Sequence, residues 1–132
     1  MLKLIDKKEK VRCPKDVYDL MKGIYFGMNT EMVSIVILDN ACNVLSIKKI
    51  SSGFSNTVSL GVKEVFSEPI KHMATSIILV HNHPSGNIEP SKQDVRFSKT
   101  IAEYGKTFGI ILNDHIIIGK NEYISMKEKG YF

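Results

Sequence analysis

Apolar residues fall along this chain in two rhythms. Val17, Leu20, Met21 and Ile24 recur at three- and four-residue spacing, which predicts an amphipathic helix. It opens at Cys13-Pro14-Lys15-Asp16, with Pro14 suited to a first turn and Asp16 to the positive end of the dipole. Gly27-Met28-Asn29-Thr30 ends it. Short β-branched runs predict strands over 32–38 and 44–50, joined through an Asn- and Asp-rich hairpin loop at 39–43. A loop over 51–56 comes next, then a helix over about 61–74 with Val62, Val65, Phe66, Ile70 and Met73 facing inward. Pro69 is expected to kink or split that helix. A third strand is expected at 76–80, and a helix from Ser91 to about 107, packing through Val95, Ile101, Ala102 and either Phe97 or Tyr104. Two strands, 109–112 and 115–118, are expected around Asn113-Asp114, with a short piece at 123–126 closing the sheet. Residues 1–12 read as a loosely ordered lead-in or an edge strand. Helices and hairpins share the connections, so the expected class is α/β, a mixed sheet flanked by helices, forming one domain over 1–132.

Composition changes this picture little. The chain has 132 residues, enough for one sizeable core, and is 43% hydrophobic and 24% charged, as in an ordinary globular protein. No apolar run approaches the ~20 residues of a membrane span. The first eight residues lack the apolar region of a signal peptide, so a cytoplasmic location is expected. Two distant cysteines, Cys13 and Cys42, exclude a C-x-x-C zinc ribbon or redox motif. The net charge of +4 is a modest excess, better matched to a solvated surface than to a nucleic-acid groove.

The chemistry concentrates in His81-Asn82-His83-Pro84-Ser85-Gly86-Asn87-Ile88-Glu89-Pro90-Ser91-Lys92-Gln93-Asp94. Two imidazoles at i and i+2 of an extended chain point to one side. Asp94 arrives one turn past Ser91 on a helix. Two nitrogens and a carboxylate form the three-ligand set of an open catalytic zinc site. Taken singly, Ser91-x-x-Asp94 could be only a capping box and each histidine only a polar strand end; together, bracketed by Pro and Gly, they point to one metal per chain. A zinc site of this kind needs a general base, and spacing leaves Glu31, Glu64, Glu68 and Glu89 all open. Ser91, as N-cap, can accept from the Asp94 N–H, leaving its own proton free to point outward. Asn82, on the opposite side of the strand, reads as structural. His72 and His115 lack ligand spacing and read as surface or internally satisfied residues.

This H-x-H-P-S-G-x-x-x-P-S-x-x-D pattern resembles the metal motif of JAMM (MPN-plus) metalloproteases, in the form carried by the RadC family. Glu64-Val65-Phe66 and Asp114-His115-Ile116-Ile117-Ile118-Gly119 match that family on either side, and the similarity runs from about Val11 to the C-terminus. Val62-Lys63 stands where a Pro-Arg pair is usual, which weakens the flank and leaves the ligand motif untouched. The resemblance implies an MPN fold related in outline to cytidine deaminases, zinc on His81, His83 and Asp94, Glu31 as catalytic base and Ser91 stabilising the tetrahedral intermediate. It thereby implies a zinc metallohydrolase cleaving a peptide or isopeptide bond of a protein or peptide substrate. Two rival readings compete with it. A zinc deaminase needs H-x-E and P-C-x-x-C, which are absent. A DNA-repair-associated protein, acting through nucleic-acid or protein binding, is the alternative that the RadC resemblance also carries. The 132 residues do not show the helix-hairpin-helix region of longer members, and because the charge excess is modest and dispersed, only weak, non-specific and salt-sensitive DNA binding is expected.

Overall fold

Strand β1, Val33–Leu38, is buried along its whole length and lies inside the sheet. The computed structural model describes residues 9–50 and 58–132, with the side chains of 58–60 left aside. The expected loop at 51–56 and most of the N-terminal lead-in therefore lie outside the described residues. Of that lead-in, Lys10 bridges Asn43 and Val11 joins the core.

Among the described residues eight elements run in order: α1 Pro14–Tyr25, β1, β2 Val44–Ile50, α2 Val58–Lys71, β3 Ser76–Asn82, α3 Lys92–Phe108, β4 Ile111–Ile118 and β5 Tyr123–Ser125. The sheet order is β2-β1-β3-β4-β5. β1 pairs antiparallel with β2 and β3, β3 parallel with β4, and β4 antiparallel with β5, which makes the sheet mixed as expected. The parallel pair needs a crossover, and α3 provides it.

Both faces of the sheet are covered, which is why its inner strands read as continuous apolar runs. On one face Val17, Met21 and Tyr25 of α1 pack on Val36, Leu38, Ile78, Val80, Ile116 and Ile118. On the other, Val62, Val65 and Phe66 of α2 and Ile101 of α3 pack on Ile35, Ile37, Ile77, Leu79 and Leu112. The alternation along β3 sets which side chains reach which helices: 77, 79 and 81 face α2 and α3, whereas 78, 80 and 82 face α1.

Three expectations are corrected. Pro69 does not split α2; it sits in the last turn, where its missing N–H forfeits a single bond, and the helix continues to Lys71. Ile70 and Met73 do not face inward but are 46% and 86% exposed: Ile70 lies in the last turn of α2, and Met73 lies past its end, where φ 52° turns the chain towards β3. The two strands expected around Asn113-Asp114 are one strand, β4, with a register shift that takes up the extra residue. Asp114 is tolerated there because its carboxylate accepts from the Ser125 hydroxyl and from the N–H groups of His115 and Lys127. Burial pushes the Asp114 carboxyl up, and the Ser125 hydrogen bond opposes it.

Candidate metal centre

His81 is the sixth residue of β3 and faces α3. β3 ends at Asn82, and the chain then turns through Pro84-Ser85-Gly86, with Gly86 at φ +90° and its N–H donating to the His83 carbonyl. Lacking a Cβ, Gly119 at the end of β4 lets this loop close in: a Cβ there would come within 2.6 Å of Ile88 and 2.8 Å of the Gly86 carbonyl. His83 is held by its N–H, which donates to Ile118, and by its Nδ1, 2.6 Å from the Asn87 carbonyl.

Asp94 enters on the first turn of α3. Ser91 is its N-cap: the Ser91 hydroxyl accepts from the Asp94 N–H at 3.0 Å, and the Asp94 carboxylate accepts from the Ser91 N–H at 2.8 Å. The capping box is thus real, and it aims the Asp94 carboxylate back towards the strand. The hydroxyl proton of Ser91 is not used in either bond.

These elements converge. His81 Nε2 lies 2.9 Å from His83 Nε2 and 3.4 Å from Asp94 Oδ1, and His83 Nε2 lies 3.3 Å from Asp94 Oδ2. Two donors each about 2.0–2.1 Å from a tetrahedral ion lie roughly 3.3 Å apart, so these separations suit a single metal. Glu31 Oε1 stands farther out, 3.8 Å from His81 Nε2 and 4.0 Å from His83 Nε2, on a side chain 52% exposed. Among the described residues these four form the group of acidic and imidazole side chains able to share an ion. Of the four glutamates that spacing left open, geometry brings Glu31 to the cluster, whereas Glu68 pairs with Lys71 and His72 on α2.

That crowding governs the electrostatics. The hydrogen bond with Asp94 raises His83 above the ordinary imidazole value. Burial alone would raise the Asp94 carboxyl, but His81 and His83 outweigh it and hold it well below the usual carboxylate range. A carboxylate kept ionised at 2% exposure, beside two imidazole nitrogens, matches a cation.

Two residues whose local sequence reads as structural or satisfied shape the site. Asn82 faces the other way, and its amide accepts from the Met32 N–H and donates to the Thr30 carbonyl, gripping the backbone on both sides of Glu31. Asn82→Ala should cost about 1–3 kcal/mol by leaving the Met32 N–H unsatisfied, yet leave metal content unchanged. Thermal unfolding with elemental analysis checks this. His115 lies fully buried on β4, with its Nε2 2.7 Å from His81 Nδ1, and so is internally satisfied rather than on the surface. Burial pushes its imidazole well below the ordinary value. His72 remains apart, 3.7 Å from Glu68. Beside His83 a cleft of about 620 Å³ opens between the end of α1 and the β4–β5 turn, lined by Tyr18, Phe26, Met28, Pro84 and Lys120 among others.

A mixed sheet between one helix and two, with a His, His, Asp cluster where β3 gives way to α3, defines a JAB/MPN domain, a class made up generally of metal-dependent hydrolases. The profile of the RadC-like JAB domain matches residues 11–131. The chain belongs to that family. It is 40% identical over 129 residues to a UPF0758 protein of Clostridium beijerinckii, covering 98% of this chain and 56% of that protein. A UPF0758 protein of Caldanaerobacter subterraneus is 40% identical over 132 residues, with 100% and 57% covered. One of Methanococcoides burtonii is 37% identical over 126 residues, with 96% and 55% covered. The chain thus spans a little over half the length of these curated relatives. Among the described residues no helix is long and apolar enough to cross a membrane.

Proposed function

We infer that the chain is a zinc-dependent hydrolase that cleaves an amide, a peptide or isopeptide bond, in a protein or peptide substrate. The observation that carries this reading is the spacing of the four groups. His81, His83 and Asp94 stand at the mutual distances of ligands, while Glu31 stands outside that spacing and faces the same point. His81, His83 and Asp94 would hold the ion. Zinc bound there supplies a Lewis acid and makes hydroxide available at neutral pH, lowering the pKa of water from ~15.7 to about 7.

The remaining work belongs to the chain's own side chains. Glu31, half exposed, takes a proton from the attacking water and returns it to the leaving nitrogen. Ser91 uses its free hydroxyl proton to donate to the carbonyl oxygen as negative charge develops there, and the N-terminus of α3 adds a favourable field. The cleft beside His83 has the volume to seat several residues of an extended chain.

The test is a mixture of peptides and isopeptide-linked conjugates incubated with zinc-loaded protein and monitored by mass spectrometry. The expected result is cleavage with uptake of one water, lost with a chelator and regained with zinc. Cleavage that persists in chelator would contradict the reading. The rival, nucleic-acid binding, has its own check: with a net charge of +4, duplex DNA should bind weakly and lose affinity steeply with salt. Selective binding that survives physiological salt, measured by fluorescence anisotropy, would favour the rival.

A further inference from the structure

We propose that Ser98 and His115 form a buried proton-ordering relay that locks His81 as its Nδ1–H tautomer, so that the Nε2 lone pair faces the metal cluster. The inference rests on the metal site proposed above and adds two positioning residues to it. Ser98 Oγ on α3 lies 3.0 Å from the Asp94 carbonyl, 2.5 Å from His115 Nδ1 and 3.8 Å from Met126 Sδ. His115 Nε2 lies 2.7 Å from His81 Nδ1, and Ser98, His115 and His81 are all fully buried.

The direction of the chain of protons is set at its end. A carbonyl and a thioether can only accept, so the single hydroxyl proton of Ser98 goes to the Asp94 carbonyl. Ser98 Oγ then accepts, and His115 must donate to it through Nδ1–H. A neutral imidazole with its proton on Nδ1 has a lone pair on Nε2. His81 must therefore donate into that lone pair through its own Nδ1–H. Its Nε2, 2.9 Å from His83 Nε2, is left as the donor atom for a metal. The opposite order would set the Ser98 oxygen against the carbonyl oxygen without a proton between them, and would turn an N–H towards the ion.

The arrangement also joins the ligands. The carbonyl that orients Ser98 belongs to Asp94, so one ligand residue sets the tautomer of another through α3 and β4. His83 reaches the same state separately, because its Nδ1 faces the Asn87 carbonyl, which can only accept. Such outer partners hold ring orientation and raise ligand basicity.

Long-range ¹H–¹⁵N correlation spectra of the histidine rings test this directly in the wild-type chain, with and without zinc. The expected result is a proton on Nδ1 and none on Nε2 of His115, together with a proton on Nδ1 of His81. A proton on His115 Nε2 would overturn the proposal. Zinc affinity, measured by chelator competition, is the second readout. His115→Leu should weaken zinc by roughly 10–100-fold, the usual effect of losing an outer partner. His115→Gln, whose carbonyl oxygen can accept from His81, should recover most of that loss. If His115 only fills space, Leu is the better buried replacement and should match Gln in zinc affinity while exceeding it in thermal stability; equal affinities would therefore overturn the proposal. A wild-type chain that binds no divalent metal would refute the proposed function, while the ring spectra would still decide the relay.

Discussion

Asp94→Asn should fold as the parent chain does and yet purify without zinc. The substitution keeps a side-chain oxygen to accept from the Ser91 N–H, so the capping box that starts α3 can survive. What it removes is the negative charge facing His81 and His83 at 3.4 and 3.3 Å. Two neutral nitrogens then remain against a divalent ion. The loss in affinity should exceed the roughly 10–100-fold typical of an outer partner. His81→Ala should do the same by deleting a nitrogen, and it also removes the buried contact between His81 Nδ1 and His115 Nε2, so it should be less stable than Asp94→Asn. Elemental analysis with thermal unfolding separates the effects. Near-stoichiometric zinc in Asp94→Asn would remove Asp94 from the ligand set.

Glu31→Gln should keep both fold and metal and lose most hydrolysis. Its carboxylate lies beyond the ligand spacing and half in solvent, so neither packing nor coordination depends on its charge. Proton transfer does, and a positioned general base is worth about 10²–10⁴-fold. Ser91→Ala should also keep metal, with a rate loss on the order of 10²–10³-fold for one oxyanion donor and a stability loss of about 1 kcal/mol for the N-cap. Metal content, unfolding and turnover on whichever amide the substrate screen yields would measure all three. Release of zinc from Glu31→Gln would make Glu31 a ligand and the assignment wrong; unchanged turnover would send the search for a base to Glu64, Glu68 or Glu89.

The parts of this molecule that are legible in its sequence are those where local pattern and tertiary role agree. β1, β2 and β3 announce themselves as apolar runs because both faces of the sheet are covered. His81, His83, Ser91 and Asp94 can be read together because a two-residue strand period and a one-turn helical offset each place side chains on one face. His115 is not legible in this way. Its neighbours Asn113 and Asp114 look like a turn, and only the pairing of β4 with β3, the bulge and the partners Ser125 and Lys127 make them strand. Its closeness to His81 crosses 34 positions of sequence and has no local signature. The histidine in Asp-His-Ile-Ile-Ile-Gly, set within an apolar run, is the available signal. Glu31 is a similar case: four glutamates are equivalent by spacing, and what singles one out is the grip of Asn82 on Thr30 and Met32, some fifty residues away. Met73 departs from expectation for a simpler reason, since helical periodicity extends past the residue where the helix ends.

The proposed centre is a zinc ion on two imidazoles and one carboxylate, with a position left open. X-ray absorption at the zinc edge of the loaded wild-type chain reads that shell directly. The expected result is four nitrogen and oxygen neighbours at about 2.0–2.1 Å, with the outer-shell scattering of two imidazole rings. Sulfur scattering at about 2.3 Å would place the metal on a cysteine instead, and would contradict the account.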